Sequence, residues 1–468
     1  MPAREPSPNY RLARIMAEAG FTSHKAFARA VRRVSEENGA GRPVGCDHTS
    51  VSRWLRGMNA PRGDTAAFIA TALSRALGRS VSLAEIGLSS SAAVPADLGL
   101  EYLASAHQGI GVLTRLWHAD LDEVTNVHAG TPDPGTWHDV PLNWLVAGPA
   151  VQAPAHPGGQ QVGSADVGRV RATTELFAQL DNRFGGGHAR HALIQYLADD
   201  VERLLLGRYT DSVGRELFCA AAEATRLAAW MSYDSGAHGL AQRYFVQALG
   251  LAEAGTDRLL AGSILDAMSH QATFLGRFRD AANLARAARL GTQHIATPSF
   301  TAHFHAMEAR ALARLGDARG CELALADAVS TFEHRNPEND PEWFRYFDDA
   351  ELAAELGHCF RDLGKAEAAT QYATRSIGSC CGTRSDFFAT MVLADAHLRA
   401  GQADEACRVA LDALKLGEGL KSARCASYLR EFQAHLAPAG NPGAVRDFAE
   451  QASCSALWRQ ATAQVDIG

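Results

Sequence analysis

His48, Thr49, Ser52, Arg53 and Arg56 fall within nine positions and carry donors and acceptors of the kind that read base edges. Their spacing leaves Val51, Trp54 and Leu55 at i, i+3 and i+4, which is one side of a helix. The stretch D-H-T-S-V-S-R-W-L-R-G, from Asp47 to Gly57, therefore predicts a short helix with an apolar inner face and a polar, basic outer face. Asp47 is suited to accept from the free N–H groups of the first turn, and Gly57 to take the left-handed conformation that ends a helix. A short helix with a polar exposed N-terminal end suits insertion into a DNA major groove.

The flanking sequence predicts the elements that would hold this helix. Residues 10–19 read as a first helix with Leu12, Ile15 and Met16 inward. Ser23 caps a second, running to about Val34 with Phe27, Val31 and Val34 inward, and Asp64 caps a fourth through Phe68, Ile69 and Leu73. Residues 81–88 close the unit. Ser23, Lys25 and Arg33 on the second helix complete the expected DNA contacts, Arg33 through phosphate. In this order of elements residues 1–88 resemble the helix-turn-helix domain of bacterial repressor-like (XRE-type) regulators. They depart from that pattern where Ser35 to Cys46 lengthens the normally tight turn before the reading helix; a four-helix protein-interaction module is the alternative. Charge favours nucleic acid. Residues 1–88 carry 13 Lys or Arg against 7 Asp or Glu, a net of +6, while the whole chain is at −7, which leaves −13 on residues 89–468.

Other chemistry finds little support. The sequence has no G-x-S-x-G, no G-x-x-x-x-G-K-[ST], no H-E-x-x-H and no strand followed by G-x-G-x-x-G, so no enzyme is expected. His188/His191 and His303/His305 lack a carboxylate or cysteine at ligand spacing, so neither a metal nor a cofactor is expected. Gly185 to Gly187 precede a helix without a Walker lysine and read as an inter-helix turn. The nine cysteines are scattered apart from Cys380–Cys381, which predicts reduced thiols. No run of about 18 apolar residues is present and the N-terminus lacks an apolar signal segment, so a cytoplasmic protein with no membrane partner is expected, nucleoid-associated when DNA-bound.

The remainder of the 468 residues is organised by a repeat. Gly236, Gly276, Gly316, Gly364 and Gly401 each follow a helical stretch, at intervals of 40, 40, 48 and 37 residues. Five positions after each come Ala241, Ala281, Cys321, Ala369 and Ala406; twelve after come Ala248, Ala288, Ala328, Ser376 and Ala413; seven before come Ala229, Ser269, Ala309, Gly357 and Ala394. Small residues at fixed points on two helices permit close packing, and a glycine between them lets the chain reverse. The pattern resembles long, irregular tetratricopeptide repeats. The predicted fold is all-α: a helix-turn-helix domain over 1–88, a connector over 89–164, and a tetratricopeptide-like solenoid over 165–468. The connector should hold one helix from Leu100 to Asp120, then extended, proline-punctuated chain around Trp137 and Trp144. Helices are predicted from Ala165 to Phe184 and from Ala189 to Leu206, and a weaker hairpin from Ala423, broken at Pro438 and Pro442.

In such a solenoid the first helix of each hairpin faces a concave groove. The outward positions collect Arg226, Trp230, Tyr233, Asp266, His270, His303, Arg310, His358 and Arg361, joined by Glu223, Glu351 and Asp395. This lining would suit a peptide, a protein or a polar small molecule. As exposed groove residues, Arg226 and Arg310 are expected to add little to stability. The order of W-L-R-G, R-A-L-G-R-S-V-S-L-A-E-I-G-L, Leu116–Trp117 and R-F-G-G-G-H-A-R resembles actinobacterial helix-turn-helix plus tetratricopeptide proteins that control development and antibiotic production. That resemblance implies a regulator that binds double-stranded DNA and whose repeats sense a ligand or partner or dimerise, with a homodimer expected. The peptide-sensing Gram-positive quorum regulators are a second resemblance, but they grip peptide backbone with Asn, and the groove positions here hold none. The competing function is a scaffold whose N-terminal unit no longer reads DNA.

Overall fold

The computed structural model describes residues 8–37, 45–59, 61, 65–79, 81, 83, 85–88, 94–103, 106–146, 160–378, 382–437 and 442–463. Most of the expected long turn, the Asp64 cap, the serine-rich joint after Leu88, the proline-rich stretch 147–159, Cys380–Cys381 and Pro438 lie outside them. The described chain is all-helical, with one isolated bridge between Gln161 and Arg208, and forms two compact units, Met1–Pro95 and Ala96–Gly468.

The first unit contains α1 (Tyr10–Glu18), α2 (His24–Glu37), α3 (His48–Leu55) and α4 (Thr65–Leu77). Its core takes Leu12, Ile15, Met16, Phe27, Val31, Val34, Val51, Trp54, Ile69 and Leu73, the inner faces that helical spacing predicts. Val81, Ile86 and Leu88 join that core and so close the unit. Asn9 secures the closure: its Oδ1 caps α1 by accepting from Leu12 N–H at 3.0 Å, while its Nδ2 donates to the Ile86 carbonyl at 2.9 Å.

The second unit begins with α5 (Ala106–Leu121), α6 (Thr125–His128) and α7 (Pro134–Val146), followed by α8 (Ser164–Phe184), α9 (Arg190–Tyr196), a π-helical turn over Leu197–Val201, and α10 (Glu202–Leu205). The region expected as extended chain is therefore largely helical. Asp133 accepts from Thr136 N–H at 2.9 Å and Pro134 occupies the first turn of α7, a favourable helix start. Trp137, Val140 and Trp144 then bury one face, and packing on the repeats outweighs the hydrogen bond that Pro141 forfeits. Trp144 Nε1 donates to Glu253 at 2.7 Å, and the Arg258 guanidinium lies 4.2 Å from the Trp144 ring centre. Asp120 on α5 is likewise locked in. It accepts from Arg190 at 2.6 and 3.0 Å, from Tyr244 at 2.6 Å, and meets His128 at 2.6 Å. Burial opposes its charge, but these partners outweigh it and hold the carboxyl at about 2.

Among the described residues five hairpins follow: α11 (Asp211–Asp234) with α12 (His238–Ala254), α13 (Arg258–Phe274) with α14 (Phe278–Thr292), α15 (Pro298–Leu315) with α16 (Ala318–Phe332), α17 (Asp349–Asp362) with α18 (Ala366–Ser376), and α19 (Thr383–Arg399) with α20 (Ala403–Leu416); then α21 (Ala423–Leu436) packs on α19 and on α23 (Ala456–Ala463), and α22 (Pro442–Ala452) packs on α20. The five spacer glycines sit between the helices of these five hairpins, all left-handed with φ from +74° to +88°. All fifteen small positions are buried. A Cβ on Gly357 would stand 3.2 Å from the Ala373 backbone nitrogen, which shows how closely the paired helices approach.

The array closes on itself. Lys421 N–H donates to the Phe184 carbonyl at 2.7 Å, and Gly187 N–H to the Lys421 carbonyl at 3.0 Å. Gly185–Gly187 is the expected inter-helix turn, and its glycines serve this closure: a Cβ on Gly186 would lie 2.5 Å from the Met231 carbonyl oxygen. Asp234, fully buried at the junction, accepts from Gly186 N–H at 2.8 Å and Ser422 Oγ at 2.9 Å.

Candidate functional site

Two places gather the expected functional residues. The first is the outer face of α3. Asp47 Oδ1 accepts from Ser50 N–H at 2.7 Å and from its hydroxyl at 2.8 Å, and the first of these holds its pKa below the usual range. At the other end Gly57 has φ +67°, and Gly57 N–H and Met58 N–H donate to the Trp54 and Arg53 carbonyls. With both ends fixed and Trp54 only 6% exposed, the helix presents His48, Thr49, Arg53 and Arg56 to solvent and Ser52 half-buried. Lys25 and Arg33 are exposed on α2, while the Ser23 hydroxyl caps α2 by accepting from Ala26 N–H at 3.2 Å. Ten residues separate α2 from α3.

The second place is the closed interior of the repeats. A cavity of about 350 Å³ is lined from α8, α11, α13, α15, α17, α19 and α21. Arg226, Trp230, Asp266, His270, His303 and Glu351, all expected in the groove, reach it. A neighbouring cavity of about 270 Å³ takes His270, Arg310 and Arg361. The expectation of an exposed groove needs correction, because closure buries most of its lining. Tyr233, Asp266, His303, Arg310, His358, Arg361 and Asp395 are all buried, and Arg226, Trp230, His270 and Glu351 are half-buried.

Burial demands partners for charge, and most are present. Arg310 pairs with Glu355 at 2.9 Å, His303 Nδ1 lies 2.7 Å from Asp266, and His435 lies 2.8 Å from Asp395. Arg361 reaches Asp362 at 2.6 Å, and Glu223 meets Arg171 at 3.4 Å. The Tyr233 hydroxyl and His270 Nδ1 are 3.0 Å apart. Burial, reinforced by nearby arginines, drives His270 and His358 well below the usual histidine range, so both are neutral. His303 moves the other way: burial opposes its charge, but Asp266, Glu355 and Glu351 outweigh that and raise it. His305 points off that wall, 3.9 Å from Asp327. Among the described residues no cluster of His, Cys, Asp or Glu is placed to hold a metal, and no helix is long and apolar enough to cross a membrane.

Several lining residues were absent from the sequence expectation. Trp343, Phe344 and Tyr346 come from the link between α16 and α17, which makes the third interval 48 residues long. That link contains two 3-10 turns, Pro337–Asn339 and Glu342–Phe344. Asp340 anchors it by accepting from Thr297 at 2.5 Å and Ser299 at 2.6 Å, and Phe344 stacks on Phe300 at 3.6 Å. The anomalous interval was the available signal. Asp181, Arg384 and Arg424 gave none, since closure alone brings them in. Arg384 pairs with Asp181 at 2.8 Å, and Arg424 lies between the Tyr233 and Phe388 rings at 4.8 and 4.5 Å.

A family model described as the SP15 N-terminal domain matches residues 12–89, which span α1 to α4 and the closing segment. No curated protein and no solved structure matches the chain.

Proposed function

We propose that the chain is a transcription regulator whose first unit binds double-stranded DNA through α3 and whose repeat array senses a ligand or partner. The observation that carries the reading is the face of α3: a helix capped at both ends, seated by Val51 and Trp54, that turns His48, Thr49, Arg53 and Arg56 outward. These groups can donate to bases and phosphates, and the net +6 of residues 1–88 supplies the attraction to the DNA backbone. The lined interior of the second unit supports the sensing role. The ten-residue link between α2 and α3 favours a second reading, a protein-binding scaffold that has lost DNA recognition. Sequencing DNA crosslinked to the full chain in its own cell separates the two. Regulation predicts enriched sites that vanish in an Arg53→Ala, Arg56→Ala double variant. The absence of enriched sites for the wild-type chain, or their persistence in that variant, would count against α3 as the reading element.

A further inference from the structure

The 350 Å³ cavity sits at the small end of ligand pockets, which span roughly 300–1,000 Å³. Nearly all its charges are settled internally: Arg384 by Asp181, Glu355 by Arg310, and His303 by one oxygen of Asp266. Two are not. Arg226 and Glu351 form no salt bridge among the described residues. The Arg226 guanidinium stacks 4.7 Å from the Trp343 ring centre, and its Nε–H has no acceptor among the described residues. Asp266, only 5% exposed, leaves Oδ1 without a donor among the described residues. Removing ions from water without a partner is costly, so a cation and an anion left separately unpaired in one cavity work against stability. Such groups gather where binding is the purpose.

A ligand bearing only an anion would satisfy Arg226 and leave Glu351 and Asp266 unmet; an amine would do the reverse. Building on the reading of this interior as a ligand site, we infer that it takes a small zwitterion of the amino-acid class, with the carboxylate on Arg226 and the ammonium on Asp266 and Glu351. Burial and the neighbouring Glu355 push the Glu351 carboxyl up to about 7, and an ammonium beside it would draw its charge back. Trp230 and Trp343 offer aromatic faces to the rest of such a molecule.

The test is calorimetric titration of the full chain, without DNA, with each of the twenty standard L-amino acids. It continues with the N-acetyl and methyl-ester forms of any that bind. At least one free amino acid should bind, and blocking either terminus should weaken it by about tenfold or more. Glu351→Gln should weaken the free amino acid by a similar factor while leaving its N-acetyl form unchanged. Arg226→Gln should do the same with respect to the ester. Melting curves establish that each variant is folded, and the blocked-ligand comparison on wild-type chain stands without them. The inference is overturned if no amino acid binds at millimolar concentration, or if both blocked forms bind as well as the parent. A chain that binds DNA but no amino acid overturns this inference alone; one that binds an amino acid but no DNA overturns the regulator reading alone.

Discussion

Replacing Arg310 with Met tests whether the repeats close as described. The Arg310 and Glu355 side chains are 10% and 7% exposed and meet at 2.9 Å. At an effective dielectric near 20 their attraction is about 6 kcal/mol. Desolvating the two ions costs several kcal/mol each, so the intact pair contributes little net stability. Removing one partner is a different matter, because the other stays buried and unpaired. Arg310→Met should therefore cost about 3–5 kcal/mol, and Glu355→Gln a comparable amount. The double variant strands no charge, so its cost should fall well below that of either single variant and far below their sum. An arginine exposed in an open groove would instead change stability by under about 0.5 kcal/mol. Urea denaturation of the four full-length chains, followed by far-UV circular dichroism, provides the comparison. If Arg310→Met unfolds at the wild-type midpoint, or if the two single losses simply add, the closed interior is wrong.

Trp54→Ala should cost roughly 3–5 kcal/mol and open the first unit to limited proteolysis. Arg53→Ala should leave that resistance intact and remove roughly 1–3 kcal/mol of specific DNA binding. Equal proteolytic resistance in both variants would mean the inner and outer faces of α3 are misassigned. Ala309→Leu and Ala394→Leu, at fully buried contacts between paired helices, should each lower stability by roughly 1–3 kcal/mol, and unchanged denaturation midpoints would refute the repeat register. The folded-state pKa of Glu351 is raised from 4.5 to about 7, so the folded chain holds more protons than the unfolded chain between those values. Its contribution to stability is present below about pH 4.5 and is lost as pH rises through about 7. Relative to wild type, Glu351→Gln should gain stability across that interval; a difference between the two chains that does not vary with pH would refute the assignment.

The legible parts of this protein are those written in local spacing. Val51, Trp54 and Leu55 fix which face of α3 turns inward, because helical periodicity places i, i+3 and i+4 together wherever the helix sits. Gly57 and the five spacer glycines mark left-handed turns, because side chains with a Cβ rarely adopt that conformation. The small residues flanking those glycines identify inter-helix contacts before any partner is known. Helix α7 was hidden by Pro134 and Pro141, although the spacing of Trp137, Val140 and Trp144 carried its signal; the face they form needed α13 and α14 to pack against. What tertiary structure alone decides is the state of the groove. Repeat spacing specifies each hairpin but not the small rotations between neighbours whose sum closes the array. Closure brings Lys421 to Gly187 and Arg384 to Asp181, contacts between residues with no shared local pattern. It turns lining positions that spacing assigns to solvent into buried ion pairs, and leaves Arg226 and Glu351 facing one cavity.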